Sequence, residues 1–200
     1  MPEWLHALVA NEGPLRLGVF AGVLALLLVL QWLRPLRGDG RGQRRQATNL
    51  MLIALDTLLL RLVFPVLAVG LALQFEAQGL GLLPRLGLPF WLDCVLAVLL
   101  LDLAIYWQHR WMHVVPLLWR LHRLHHSDTG FDVTTGLRFH PFEMAVSLVY
   151  KLTVVAALGA PPLAVLVFEL LLSIGALFTH ADFALPPALD RRLRWLLVTP

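Results

Sequence analysis

The sequence predicts an all-α, polytopic membrane protein with four or five transmembrane or re-entrant helices and a histidine-rich cap on the cytoplasmic side. Three observations lead there. Of the 200 residues, 58% are hydrophobic and only 14% charged, with a mean hydropathy of +0.74. A soluble domain carries about 25% charged residues, and this deficit leaves too little charge to cover a water-facing surface. The apolar residues fall in runs of membrane-helix length, and the charges gather between the runs. Five of the arginines (Arg34, Arg37, Arg41, Arg44, Arg45) share one short loop.

The first run, about Leu17–Leu33, follows acidic residues (Glu3, Glu12) and precedes the arginines, with no small-residue cleavage site. It is therefore a span and not a signal peptide. The positive-inside rule places the Arg34–Arg45 loop in the cytoplasm and the N-terminus outside. A second run, about Leu50–Leu73, returns outward; Asp56 and Arg61 within it are expected to face protein rather than lipid. The weakly charged, Gly- and Pro-rich QFEAQGLGLLPRLGLP suits the outer side, and a third run, about Leu88–Trp107, comes back to the cytoplasm.

Met144–Phe178 is interrupted by GAPP at Gly159–Pro162, where proline cannot continue a helix. Two passes of about 16 residues reach about 24 Å each, so a tight hairpin, spanning or re-entrant, is expected. The tail LDRRLRWLLVTP reads as an interfacial helix, with Arg191, Arg192 and Arg194 towards headgroups. Residues 1–87 form an N-terminal transmembrane region, and residues 88–200 carry the chemistry.

The high pI reflects membrane topology, and no nucleic-acid partner is implied. The single cysteine, Cys94, excludes an internal disulfide and a multi-thiolate metal site.

Five of the eight histidines lie in residues 109–126, HRWMHVVPLLWRLHRLHH. His109 and His113 are four apart and share a helical face. Pro116 ends that helix and opens the next, on which His122, His125 and His126 fall at i, i+3 and i+4, again one face. His140 follows in RFHPFE, and the hairpin returns His180 to the same side. His6 is read as an ordinary interfacial residue. Neutral imidazole ligates zinc, iron, copper or nickel, whereas unmetallated neighbours would repel one another once protonated. A thiolate-free site also suits oxygen chemistry.

Asp102, seven residues before His109 on the same face, and Glu143 are candidates for the acceptors that metal-bound histidines hydrogen-bond through their second nitrogen. Tyr106 and Trp107 fit interface anchors. Arg120, Arg123 and Arg138 suit headgroups or carboxylates. A metal-binding or transport protein without redox catalysis is the alternative, although it would want histidines at mid-span. A b-type haem protein would place single histidines on facing helices.

The stretch DLAIYWQHRWMHVVPLLWRLHRLHHSDTGFDVTTGLRFHPFE, followed by the hairpin and His180, resembles the fatty acid hydroxylase/sterol desaturase superfamily of membrane-bound non-haem di-iron enzymes. The resemblance covers about Leu88–Pro200. It assigns His109 and His113 to the first histidine box, His122, His125 and His126 to the second, and Arg138, His140, Pro141 and Glu143 to an RxHPxE element. His180 and Asp182 match a later HxN element, with Asp182 in place of Asn and able to orient a neighbouring histidine. The resemblance implies two iron ions held by His109, His113, His122, His125, His126, His140 and His180. It further implies O2 as co-substrate, a lipid substrate from the bilayer, hydroxylation or desaturation of a C–H bond, and a separate electron-donor protein. Members carry a third HxxHH after a segment like RWLLVTP, so the sequence is read as stopping just before that box.

Overall fold

The computed structural model describes residues 3–38, 42–64 and 66–200. Arg41 and the side chain of His6 lie outside the described residues. Nine α-helices follow in order among the described residues: α1 (Glu3–Ala10), α2 (Glu12–Leu33), α3 (Gln43–Val63), α4 (Ala68–Gln78), α5 (Phe90–Val114), α6 (Pro116–His122), α7 (Pro141–Leu158), α8 (Pro162–Thr179) and α9 (Pro187–Leu193). Short 3-10 turns occupy Leu83–Leu86, His125–Ser127 and Val133–Leu137. The fold is all-α. Five segments among the described residues are long and apolar enough to cross a membrane: Glu12–Leu33, Gln43–Leu86, Phe90–Val114, Pro141–Leu158 and Pro162–Thr179.

The expected second run is two helices rather than one. α3 stops at Val63, with Phe64 extended at φ −115°, ψ 96°, because a residue preceding proline avoids the helical region. The tail departs similarly: α9 begins earlier, at Pro187, and ends at Leu193, before the exposed Trp195–Val198. Asp56 is buried, as expected, but Arg61 is exposed in the last turn of α3. Its long stem lets the guanidinium reach an interface without an interior partner.

α8 lies at the centre, packed on α2, α4 and α5. Its Ala164, Val165, Leu166 and Phe168 meet Ala68, Val69 and Ala72 of α4 and Ala97 and Leu101 of α5. The alanines allow close backbone approach, the main source of helix association where lipid is as apolar as the side chains. Large side chains such as Leu26, Trp32, Met51, Leu58 and Leu99 are left exposed around the bundle, as a lipid-facing surface requires. Inside it, Glu169 of α8 pairs with Lys151 of α7 and with Arg16 of α2 (2.9 Å), and Arg16 also holds Glu12 (3.2 Å). Ionisable side chains inside a span are costly, and pairing of this kind offsets that cost.

The hairpin turns at Gly159, which is left-handed (φ 62°), and its backbone lies against Gly81 of the preceding loop. A Cβ on Gly159 would sit 2.2 Å from Leu80 O, and one on Gly81 would sit 2.3 Å from Gly159 Cα. Leu82 N donates to Ala157 O (3.0 Å) across the same junction. Gly159→Ala is therefore expected to destabilise the protein by at least the roughly 1–3 kcal/mol of a forced left-handed residue, with the clash added. Gly13→Ala, in open space on α2, is the control. Thermal unfolding in detergent checks both, and equal midpoints would contradict the packing described.

Candidate metal centre

α5 runs on to Val114, further than hydropathy alone suggests, and so carries His109 and His113 on one helix, four residues apart. Their Nε2 atoms lie 3.2 Å apart. Pro116 then occupies the first position of α6, as its missing N–H permits. α6 ends at His122, and the chain tightens into the 3-10 turn His125–Ser127. The second box therefore does not present one helical face. His126 Nε2 lies 3.1 Å from His122 Nε2, whereas His125 points elsewhere, its Nε2 3.1 Å from that of His180.

The result is one imidazole cluster with two groups of facing nitrogens, joined through His125, whose ring lies 5.4 Å from that of His122 and 5.0 Å from that of His126. In the first, the His122 ring lies 4.8 Å from that of His109, 4.7 Å from His113 and 4.8 Å from His126. Ligand nitrogens of His109, His113 and His122 all fall within 4.8 Å of one another, as a shared metal ion requires. The second group is His125 with His180, enclosed by aromatic rings. Phe139 stacks on His125 at 5.2 Å, and Phe131 lies 5.9 Å from His180. Gly136 makes room for this pair, since a Cβ there would come within 3.2 Å of His180 Nδ1.

Protonation is set from behind. Glu143 Oε1 accepts from His122 Nδ1 (2.7 Å), and Ala176 O accepts from His180 Nδ1 (2.8 Å). Both acceptors fix the proton on Nδ1 and leave the Nε2 lone pair facing the neighbouring imidazole. Burial pushes His125 down to about 3, helped by His180, His126 and His122. His180 is also lowered by burial, and His126, though exposed, is lowered by partial desolvation together with the neighbouring His122, His113 and His180. Converging neutral imidazoles, with carboxylate or carbonyl acceptors behind two of them, form a donor set that fits a divalent transition metal.

This has a measurable consequence for the metal-free protein. Between about 3 and 6.5 the unfolded chain protonates at His125 while the folded chain does not. Stability therefore falls as pH drops through that window and is unaffected by this group above it. The thermal midpoint is expected to hold from about pH 8 to pH 7.5 and to decline from about pH 6.5 downward. A flat profile to about pH 5 would contradict the burial of these rings.

The other candidates are placed differently. His140 caps α7, its Nδ1 accepting from Phe142 N (3.2 Å), because the proline at the helix start leaves that donor to the side chain. It stands apart from the other rings but lines the cleft beside His126, with Trp119, Arg120 and Arg123. Asp102 is exposed on α5 and forms no hydrogen bond to His109. Seven residues span about 10 Å of helix, beyond the reach of an aspartate. Asp182 does not orient a histidine either; its carboxylate accepts from Arg37 N and Gly38 N, both at 2.9 Å. Arg138 pairs with no carboxylate among the described residues. It donates to Leu124 O and Asn49 Oδ1, both at 3.0 Å.

Three polar residues on the spans before α5 have roles that composition and spacing did not reveal. Asn49 donates to Asp128 (3.0 Å) and Thr134 (3.1 Å), and Arg45 pairs with Asp128 and Asp132. Burial would raise Asp128, but hydrogen bonds from Asn49, Thr135 and Arg45 outweigh it and hold the carboxyl below its ordinary range. Gln31 accepts from Val133 N (2.7 Å) and Asp182 N (2.8 Å). The available signal was a polar residue set within or beside an otherwise apolar helix. Asp56, also buried, has both carboxylate oxygens without a hydrogen-bond partner.

Residues 94–200 match the family model for fatty acid hydroxylase. A 43-residue stretch is 42% identical to alkylglycerol monooxygenase of Danio rerio, covering 22% of this chain and 10% of that protein. Alkylglycerol monooxygenase of Xenopus tropicalis is 43% identical over 37 residues, 18% of this chain and 8% of that one. The chain thus matches about a tenth of the length of these relatives. No solved structure matches. With the family model spanning more than half of the chain, over the helices that carry its histidine cluster, the protein belongs to the fatty acid hydroxylase family.

Proposed function

We propose that the protein is an O2-dependent oxidoreductase that hydroxylates or desaturates a C–H bond of a membrane lipid, using two non-haem iron ions. The observation that carries this reading is the set of three Nε2 pairs, His109–His113, His122–His126 and His125–His180, each at 3.1–3.2 Å. His109, His113, His122 and His126 would hold one metal ion. His125 and His180 would hold part of the site for the second, and His140 would contribute from the cleft edge. Bound iron supplies the O2 activation that no amino-acid side chain provides.

The chain's own residues do the rest. Glu143 orients His122, Ala176 O orients His180, and Phe131 and Phe139 keep water from the second pair. The seven histidines gather at helix ends, His109 and His113 in the last turns of α5, His122 at the end of α6, His125 and His126 in the turn after it, and His140 and His180 capping α7 and α8, which suits attack on lipid entering from the bilayer better than ion passage through mid-span. We place this end of the bundle in the cytoplasm, on the arginine asymmetry of the sequence. Electrons come from a separate donor protein. The alkylglycerol monooxygenase likeness adds glycerol ether lipids to fatty acids and sterols as substrates to test.

The purified full-length protein, loaded with Fe2+ and given a reductant, is tested on vesicles containing a fatty acid, a sterol or an alkylglycerol under 18O2. One product carrying a single 18O, or lacking two hydrogens, is the expected result. No O2-dependent product from any of the three classes, with iron bound, would refute the oxidoreductase reading.

A further inference from the structure

We infer that Gln31, on a helix outside the residues that match the family, is a positioning residue for His180. The inference rests on the metal reading of the histidine cluster. Gln31 is buried near the C-terminal end of α2, on the same face as the buried Leu27. Its Oε1 accepts two backbone N–H groups, from Val133 (2.7 Å) and from Asp182 (2.8 Å). Backbone N–H groups only donate, so the amide orientation is fixed: the oxygen faces them.

Those two N–H groups belong to the two segments that enclose His180. Asp182 lies two residues beyond it in the chain. Val133 opens the 3-10 turn Val133–Leu137, whose Gly136 lies beneath the His180 ring, and Phe131, two residues earlier, stacks on it. One amide oxygen therefore joins the segment that bears His180 to the segment on which its ring rests.

The loop after α2 extends the clasp. Ala184 N donates to Arg34 O (2.9 Å), the Asp182 carboxylate accepts from Arg37 N and Gly38 N, and the Arg37 guanidinium lies 4.5 Å above the Phe131 ring. Without the Gln31 oxygen, two buried N–H groups lose their acceptor, and the segments separate to find others. His180 then moves relative to His125, whereas His109, His113, His122 and His126, on α5, α6 and the turn after it, are not held by this clasp.

The test is Co2+ titration of the full chain in detergent, followed by visible absorption, in wild type, His180→Ala, Gln31→Leu, Gln31→Asn and Gln31→Glu. His180→Ala identifies the binding step that depends on His180. Gln31→Leu is expected to weaken that step about tenfold or more and to leave the other step unchanged. Gln31→Asn, which keeps an amide but draws it back by one methylene, should weaken the same step, and this variant decides the matter where Gln31→Leu does not fold. Gln31→Glu keeps an acceptor at full reach and should restore binding. Wild-type affinity at the His180-dependent step in Gln31→Asn, or equal weakening of both steps, overturns the inference alone. A wild type whose Co2+ binding does not respond to His180→Ala overturns the metal reading and this inference with it.

Discussion

Alanine at His122 is expected to remove bound metal, abolish lipid oxidation and lower the thermal midpoint, all three together. His122 is fully buried, its ring meets those of His109, His113 and His126, and its Nδ1 is held by Glu143. Its loss takes a ligand from the larger imidazole group and leaves a buried carboxylate without its donor, which costs about 1–3 kcal/mol or more for a charged group. His126→Ala separates the two effects. His126 is an exposed partner of the same pair, so its removal should cost the metal and the activity with little change in unfolding. Iron analysis and calorimetry on both variants check this. Full iron content in His126→Ala would remove His126 from the ligand set, and an unchanged midpoint in His122→Ala would show that the Glu143 contact contributes nothing.

Glu143→Gln is the second large effect, and its mechanism differs. The amide oxygen can still accept from His122 Nδ1, so packing survives, but the negative charge that makes His122 a stronger donor to metal is gone. Replacing such a partner lowers metal affinity by about 10–100-fold. Glu143 also has a buried oxygen, Oε2, without a hydrogen-bond partner. Removing the charge lowers the cost of burying this side chain, so Glu143→Gln is expected to unfold no earlier than wild type while binding metal more weakly. Competitive titration against a chelator measures the affinity. Unchanged affinity with unchanged fold would leave Glu143 without a role behind the metal ligand.

The spans were legible because hydropathy reports directly on lipid exposure, and the hairpin because Gly159 and the two prolines leave a helix nowhere to continue. The break after Val63 was missed in the sequence: Phe-Pro marks it, but the apolar run continues through it. The first histidine box follows from helical spacing alone. The second does not: His125 keeps its ring beside that of His122 yet turns its Nε2 to His180, through a 3-10 turn that tertiary packing against Phe139 and Gly136 stabilises. Periodicity placed Asp102 on a plausible face, yet facing and reaching are separate requirements. Glu143, from another helix, meets both. Gln31 and Asn49 were hidden because their partners lie 79 or more positions away in the chain.

The Lys151–Glu169–Arg16 cluster constrains how this protein can be made. A lysine or arginine entering the bilayer centre unaccompanied raises the insertion free energy by about 2.5–3.5 kcal/mol. α7 and α8 are joined by a turn of three residues, Gly159–Pro161, so Lys151 and Glu169 can enter together as a neutral pair during biogenesis. Arg16 emerges from the ribosome some 150 residues before Glu169 and has no such companion on the next helix. Glu12, one turn away on α2, supplies an interim counter-charge until α8 arrives. Arg16 then binds Glu169 while keeping Glu12, and the early-made helix is latched to the late-made one by a contact that cannot exist before α8 is in place.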